Sequence, residues 1–229
     1  MSVNSDQDYP KASQAMHYGG VLSYCAGIFL IMAFCGPYWI QSYKETFSPF
    51  KHMGLWEYCF ENYRYPYYQS DHLFHGCHHI FSQEYYVIRE WLIPGWLMVV
   101  QTFVTLALLL SFTAQILAAL TLIRWPLKFV LRYEWLLTGL CFIFNASASA
   151  LLFLAVSIFG GQCWRRDWIE YPNYNYLSWS YAFAVISFFF HGFAAYSLFF
   201  ESRRNYEQRR ANSNLVMQMY PEHARNGYM

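Results

Sequence analysis

The side chains best suited to chemistry crowd one short stretch: Asp71-His72, His75, Cys77, His78 and His79, with Cys59 upstream. Imidazole and thiolate are zinc ligands, and a tetrahedral site needs four such donors. If Cys77 is oxidised it cannot serve, because a disulfide sulfur is no longer a thiolate. The stretch then reads as surface imidazoles on a loop, and neither metal nor cofactor is expected. Histidines near their ordinary pKa of about 6.5 gain charge on mild acidification, so contact through this loop is a candidate for pH sensitivity. Elsewhere there is no Ser/His/Asp arrangement, no phosphate-cradling glycine loop and no pair of carboxylates on one face. No catalytic residue and no enzyme activity are expected.

A second polar set, Gln101, Gln115, Asn145 and His191, lies inside long apolar stretches. A transport path would use such groups. Without an intramembrane carboxylate or base beside them, they read as interhelical hydrogen-bonding groups worth about 0.6 kcal/mol each. The run Asn145-Ala-Ser-Ala-Ser-Ala150 offers small side chains for close helix approach.

The elements that must position these residues follow from composition. The 229-residue chain is 56% hydrophobic, 22% aromatic and 13% charged, whereas a soluble domain carries about a quarter charged residues. The solvent implied is a bilayer. A formal net charge of +1 supplies no basic footprint, so nucleic acid is excluded as a partner. Four stretches near 19–40, 96–123, 135–159 and 179–200 contain no Asp, Glu, Lys or Arg. Each is long enough to cross the hydrocarbon core, and lipid forces such spans to be helical. Trp39, Trp96, Trp125, Trp135 and Trp179 fall at or near their ends, as an aromatic belt requires.

These spans set the expected organisation: an N-terminus over 1–18, a four-span domain over 19–200 with long loops at 41–95 and 160–178, and a tail over 201–229. The polar leader fits an uncleaved anchor better than a signal peptide. Arg124, Lys128 and Arg132 fill the short middle linker, and Arg203, Arg204, Arg209 and Arg210 follow the last span. The positive-inside rule puts both termini in the cytoplasm.

Of six cysteines, Cys25, Cys35 and Cys141 lie in spans, Cys59 and Cys77 share the first loop, and Cys163 lies in the third linker. Disulfides persist on the oxidising side of a membrane, which favours an extracellular first loop. A Cys59–Cys77 pair leads, with either cysteine joined to Cys163 left open. The loop's wealth of Tyr, Phe, Trp and His, broken by Ser48-Pro49 and Tyr65-Pro66, suits short strands on a half-buried sheet.

An ordered set of residues then carries a resemblance. Trp39 precedes Gly54-Leu55-Trp56, which stands two residues before Cys59; Cys77 follows, and Arg89 comes shortly before the second span. This pattern resembles the signature of the claudin and peripheral-myelin-protein superfamily, and the likeness extends over all four spans and the unequal loops. The runs leading into the second and fourth spans are most similar to arthropod septate-junction claudins. The resemblance implies an all-α membrane protein: a left-handed four-helix transmembrane bundle with a small extracellular antiparallel β-sheet built from both loops. It also implies a disulfide inside the first loop and a structural pairing for Arg89, whose residue-level alternative is a snorkelling cation.

Three departures stand out. The interval between Cys59 and Cys77 holds 17 residues, longer than in vertebrate claudins. The Tyr228-Met229 end differs from their Tyr-Val tail, and the cytoplasmic segments lack a cysteine for palmitoylation.

The expected function is therefore a structural membrane component of a septate-type cell–cell junction that seals the space between epithelial cells. An auxiliary subunit of a channel or receptor is the alternative, and a tetraspanin-like organiser is disfavoured because its long loop would follow the third span. Expected partners are the lipid bilayer, like or related junction proteins side by side, proteins of the neighbouring cell, and a cytoplasmic scaffold at the tail. Trp39, Gly54, Leu55, Trp56 and Arg89 are expected to anchor the scaffold. Recognition is expected from Tyr63, Tyr65, Tyr67, Tyr68, His78 and His79, since exposed Tyr gives contact area at low entropic cost. The first loop sets four cations against six carboxylates, a net charge of −2. So weak a field favours a barrier over a selective pore.

Overall fold

The computed structural model describes residues 13–66, 72–169 and 171–219. Four of its helices are long and apolar enough to cross a membrane. The first, α1 (Gln14–Cys35), is opened by Ser13, whose hydroxyl accepts from the Met16 N–H at 3.2 Å. It stops at Gly36-Pro37, earlier than hydropathy predicts. Gly36 is extended (φ −72°, ψ 131°), the conformation that a following proline imposes. Trp39 and Ile40 thus leave the predicted first span, and Ile40 begins a strand.

A short helix α2 (Arg89–Leu92) precedes α3 (Gly95–Ile123), which is followed by α4 (Leu127–Gln162). The expected linker over 124–134 is therefore mostly helix. Only 124–126 turn, with Arg124 left-handed at φ 55° and Pro126 at the start of α4, where its missing N–H costs nothing. Arg124 reaches forward to Glu134 at 3.1 Å. The last helix, α5 (Trp179–Met219), runs well past the apolar stretch that predicted it. ESRRNYEQRR contains no Gly or Pro and is rich in good helix formers, so nothing there stops the helix.

Within the bundle α3 packs on α4, α4 on α5, α5 on α1 and α1 on α3. Alanines at the contacts, including Ala26, Ala107, Ala148 and Ala184, are fully buried, as close packing without a hydrophobic drive requires. Three of the four intramembrane polar residues, Asn145, His191 and Gln115, bond to other polar side chains. Asn145 Oδ1 accepts from Ser23 Oγ at 3.0 Å and lies 2.9 Å from His191 Nδ1, linking α4 to α1 and α5. Gln115 Nε2 donates to Ser111 Oγ at 3.1 Å.

One end of the bundle carries a sheet of β1 (Ile40–Ser42), β2 (Phe50–Met53), β3 (Glu57–Tyr63), β4 (Phe74–His79) and β5 (Asn175–Leu177). Its order is β4-β3-β2-β1-β5, with every pair antiparallel. The fifth strand comes from the connection between α4 and α5, so both long loops build one sheet. The larger of two apolar clusters among the described residues runs from the helices into that sheet, through Leu97, Leu152 and Phe159 to Leu55, Tyr58 and Phe74, and a smaller one gathers Met16, Ala118, Cys141 and Leu198.

Candidate contact surface at the sheet end

Cys59 and Cys77 face each other as a registered pair on β3 and β4 and are joined by a disulfide across a Cα–Cα distance of 4.0 Å. The bond holds the two longest strands together. On β2, His52 lies opposite Cys59, and the three potential ligand atoms come within 4.8 Å of one another. Both sulfurs are spent on each other, so neither is a thiolate available to ligate zinc, and His52 is left as the one donor of the three.

The signature residues anchor this stapled sheet to the helices. Trp39 is 0% exposed, which corrects the expectation that it rests at the membrane interface. Its indole N–H donates to the Ala33 carbonyl at 2.8 Å, and its ring meets Phe159 edge-on at 4.9 Å. The backbone of Trp39 joins the strands on either side: its N–H donates to Met53, and its carbonyl accepts from Ser178. At Gly54 an added Cβ would lie 2.5 Å from the Gly36 carbonyl oxygen, so only glycine lets β2 approach the end of α1 this closely. Leu55 is buried, and its carbonyl accepts from Gln101 Nε2 of α3 at 2.7 Å. Trp56 is half-buried and packs on Phe34 of α1 at 5.2 Å.

Arg89 is bound to protein rather than simply reaching for the interface. Its guanidinium donates to the Ile80 and Ser82 carbonyls, both at 3.3 Å, and lies over the Phe81 and Tyr86 rings. It thereby closes the loop after β4. Two buried tyrosines add supports: Tyr58, one of the loop tyrosines whose place in core or surface the sequence left open, and Tyr85, which sequence reasoning did not single out. Tyr58 donates to the Leu92 carbonyl at 2.6 Å, and Tyr85 donates to the Tyr58 carbonyl at 2.9 Å. Burial raises the pKa of both phenols, which keeps them protonated donors at neutral pH.

The expected recognition surface needs correction at Tyr63. That residue is 3% exposed, stacked between Phe60 and Trp91, and belongs to the core. Tyr65 is half-buried against Trp91. Tyr67 and Tyr68 lie outside the described residues. His79 is exposed, and His78 is half-exposed with its Nε2 3.1 Å from the His75 carbonyl oxygen. A break in strand alternation decides this division: the register shifts between Phe60 and Tyr63, where Asn62 is left-handed at φ 52°, and so turns Tyr63 inward opposite Phe74 on β4.

Exposed aromatics also stand at the tips of two other loops. Phe47 is 90% exposed and left-handed at φ 48°, just after a 3₁₀ turn over Lys44–Thr46. Thr46 Oγ1 fixes that turn by donating to the Tyr43 carbonyl at 2.6 Å. Across a cavity of about 560 Å³ stand Tyr171, also left-handed at φ 53°, and Tyr174. The Tyr43 N–H donates to the Tyr174 carbonyl at 3.0 Å, tying the two loops together. A large ring held outward in a backbone region that L-residues avoid is the kind of strain that marks functional sites.

Two charge pairs brace the surface. Lys51 on β2 binds Glu61 on β3, holding that carboxyl below its ordinary pKa, and Arg165 does the same to Asp167 with bonds of 2.9 and 2.6 Å. Cys163, the candidate for alternative pairing, is free and fully buried. Burial pushes its thiol up to about 11.

Two comparisons bear on this arrangement. A family model described as PMP-22/EMP/MP20/Claudin tight junction matches residues 24–200, from within α1 to the end of the apolar part of α5. No curated protein matches the chain. The chain belongs to the PMP-22/EMP/MP20/claudin family.

Proposed function

We propose that the protein is a structural component of a septate-type cell–cell junction in the plasma membrane, where it helps assemble the junction and seal the paracellular space. In this reading both termini are cytoplasmic and the sheet end faces the gap between cells. Like or related proteins pack beside it in the same membrane, and proteins of the opposing cell meet the loop tips. Family membership supports a tight-junction-like membrane component.

The observation that carries the contact role is the pair of strained, outward-held aromatics, Phe47 and Tyr171, on loops tied to one disulfide-stapled sheet. Rigid aromatic anchors give contact area without a large ordering cost. Such a surface suits adhesion and offers no reactive centre. The test is to express the tagged protein in polarised epithelium and measure dextran passage after its loss. Lateral junctional staining with leakage supports the reading. Normal sealing together with co-purification of a channel would replace it with an auxiliary-subunit role.

A further inference from the structure

The end of the bundle opposite the sheet has a surface that the contact role leaves unused. Between α4 and α5 lies an apolar groove of about 360 Å³, lined by Trp135, Leu140, Ile143 and Phe199 among others. Gly139 also lines it and adds no side chain to fill it. Beside the groove is a polar cavity of about 260 Å³ lined by Arg132, Asn205, Gln208 and Arg209, and the two share Trp135.

The charges at this junction are unbalanced. Glu134 also borders the polar cavity but is engaged by Arg124 at 3.1 Å. Arg132, Arg209 and the adjacent Arg203 have no carboxylate partner among the described residues. The Arg209 guanidinium sits 4.5 Å from the centre of the Trp135 ring. The Trp135 indole N–H is buried and has no hydrogen-bond partner among the described residues, although a buried indole ordinarily finds one.

Depth completes the picture. The uncharged part of α5 ends at Phe200, so the groove lies against hydrocarbon and the cationic cavity at the headgroup level. An oily slot that opens onto a cluster of guanidiniums matches a molecule with an acyl chain and an anionic head. We propose that this is a binding site for one anionic phospholipid, its acyl chain in the α4–α5 groove and its phosphate between Arg132 and Arg209. A planar guanidinium fork suits phosphate oxygens. The proposal rests on the membrane spans alone and is independent of the junctional role.

The experiment uses the full chain in detergent micelles doped equally with phosphatidylserine and phosphatidylcholine of identical acyl chains, read by native mass spectrometry. One phosphatidylserine should remain per chain, in clear excess over phosphatidylcholine. R132Q/R209Q removes two cations and should weaken retention roughly 30-fold. R165Q/R166Q, at the sheet end, should leave it unchanged. Gly139→Leu, which narrows the groove with every cation intact, should also lower retention, and circular dichroism checks that each variant is folded. Soluble glycerophosphoserine at equal concentration should not compete. Equal retention of the two lipids, or wild-type retention by R132Q/R209Q, overturns the site. Unsaturable uptake of several phosphatidylserines reduces it to diffuse charge attraction. Displacement by the soluble headgroup overturns the part assigned to the groove.

Discussion

Trp39 shows how much one residue of the signature does. Its ring fills the joint between helices and sheet, its indole N–H satisfies a carbonyl at the end of α1, and its backbone joins strands from both loops. Trp39→Ala should therefore lower stability by about 3–5 kcal/mol, read as a drop in the thermal unfolding midpoint of the purified protein in detergent. Retention of the wild-type midpoint would contradict the buried joint. Cys163 gives a second prediction at this scale. A thiol buried in the core and raised to about 11 is almost wholly protonated at pH 8, and the thiolate is the reactive species. Maleimide should label it slowly in the folded protein and rapidly after denaturation, and equal rates would place it at the surface.

Among the elements, the disulfide and the loop tips should separate in their effects. Cys59→Ser releases a crosslink spanning a sequence separation of 18 residues, which costs about 3 kcal/mol in the chain-entropy model. It should impair folding and delivery to the surface. Phe47→Ser combined with Tyr171→Ser touches exposed rings only, so stability should stay within about 0.5 kcal/mol while incorporation into junctions falls. If both sets trap the protein inside the cell, scaffold and contact are not separate. The Lys51–Glu61 pair between β2 and β3 sets a pH window. A lowered carboxyl pKa contributes stability above the unfolded value of 4.5 and loses it as pH falls through the lower folded value. Lys51→Gln should raise the Glu61 titration midpoint measured by carbon NMR, and an unchanged midpoint would dismiss the pairing.

The elements also show which features could be read from the sequence. The four spans were legible because an uncharged apolar run of about 20 residues is the length and chemistry that a bilayer core demands. Their ends were not, because hydropathy measures solvent preference and not backbone conformation. Pro37 ended α1 inside an apolar run, whereas α4 began and α5 continued through charged residues that are good helix formers. The stapled pair and the anchoring tryptophans were visible as a pattern. The burial of Tyr63 was not, since it depends on register across β3 and β4. The outward rings of Phe47 and Tyr171 depend on left-handed backbone that no local pattern announced.

Taken as a whole, the molecule has two different ends joined by a packed bundle. The larger cluster is continuous from the spans into the sheet, so the strands are coupled to the helices through packed side chains. The buried Asn145 joins α1, α4 and α5 at mid-bundle. At about 0.6 kcal/mol per interhelical bond, Asn145→Ala should cost on the order of 1 kcal/mol, measured as easier unfolding in a denaturing detergent series. A larger loss would mean that the two bonds strengthen one another.

The strand order has a consequence in time. β1 lies between β2, its neighbour in the chain, and β5, which the ribosome delivers only after α3 and α4 have been made. Synthesis of the intervening residues, about 130 of them, takes roughly 7 to 26 seconds at 5–20 residues per second. Through that interval the outer edge of β1 has bare peptide groups, the condition that invites strands of other chains. Arrival of the third linker covers that edge just before α5 is made. A nascent chain halted after α4 should accordingly keep chaperones bound, and one extended through β5 should release them.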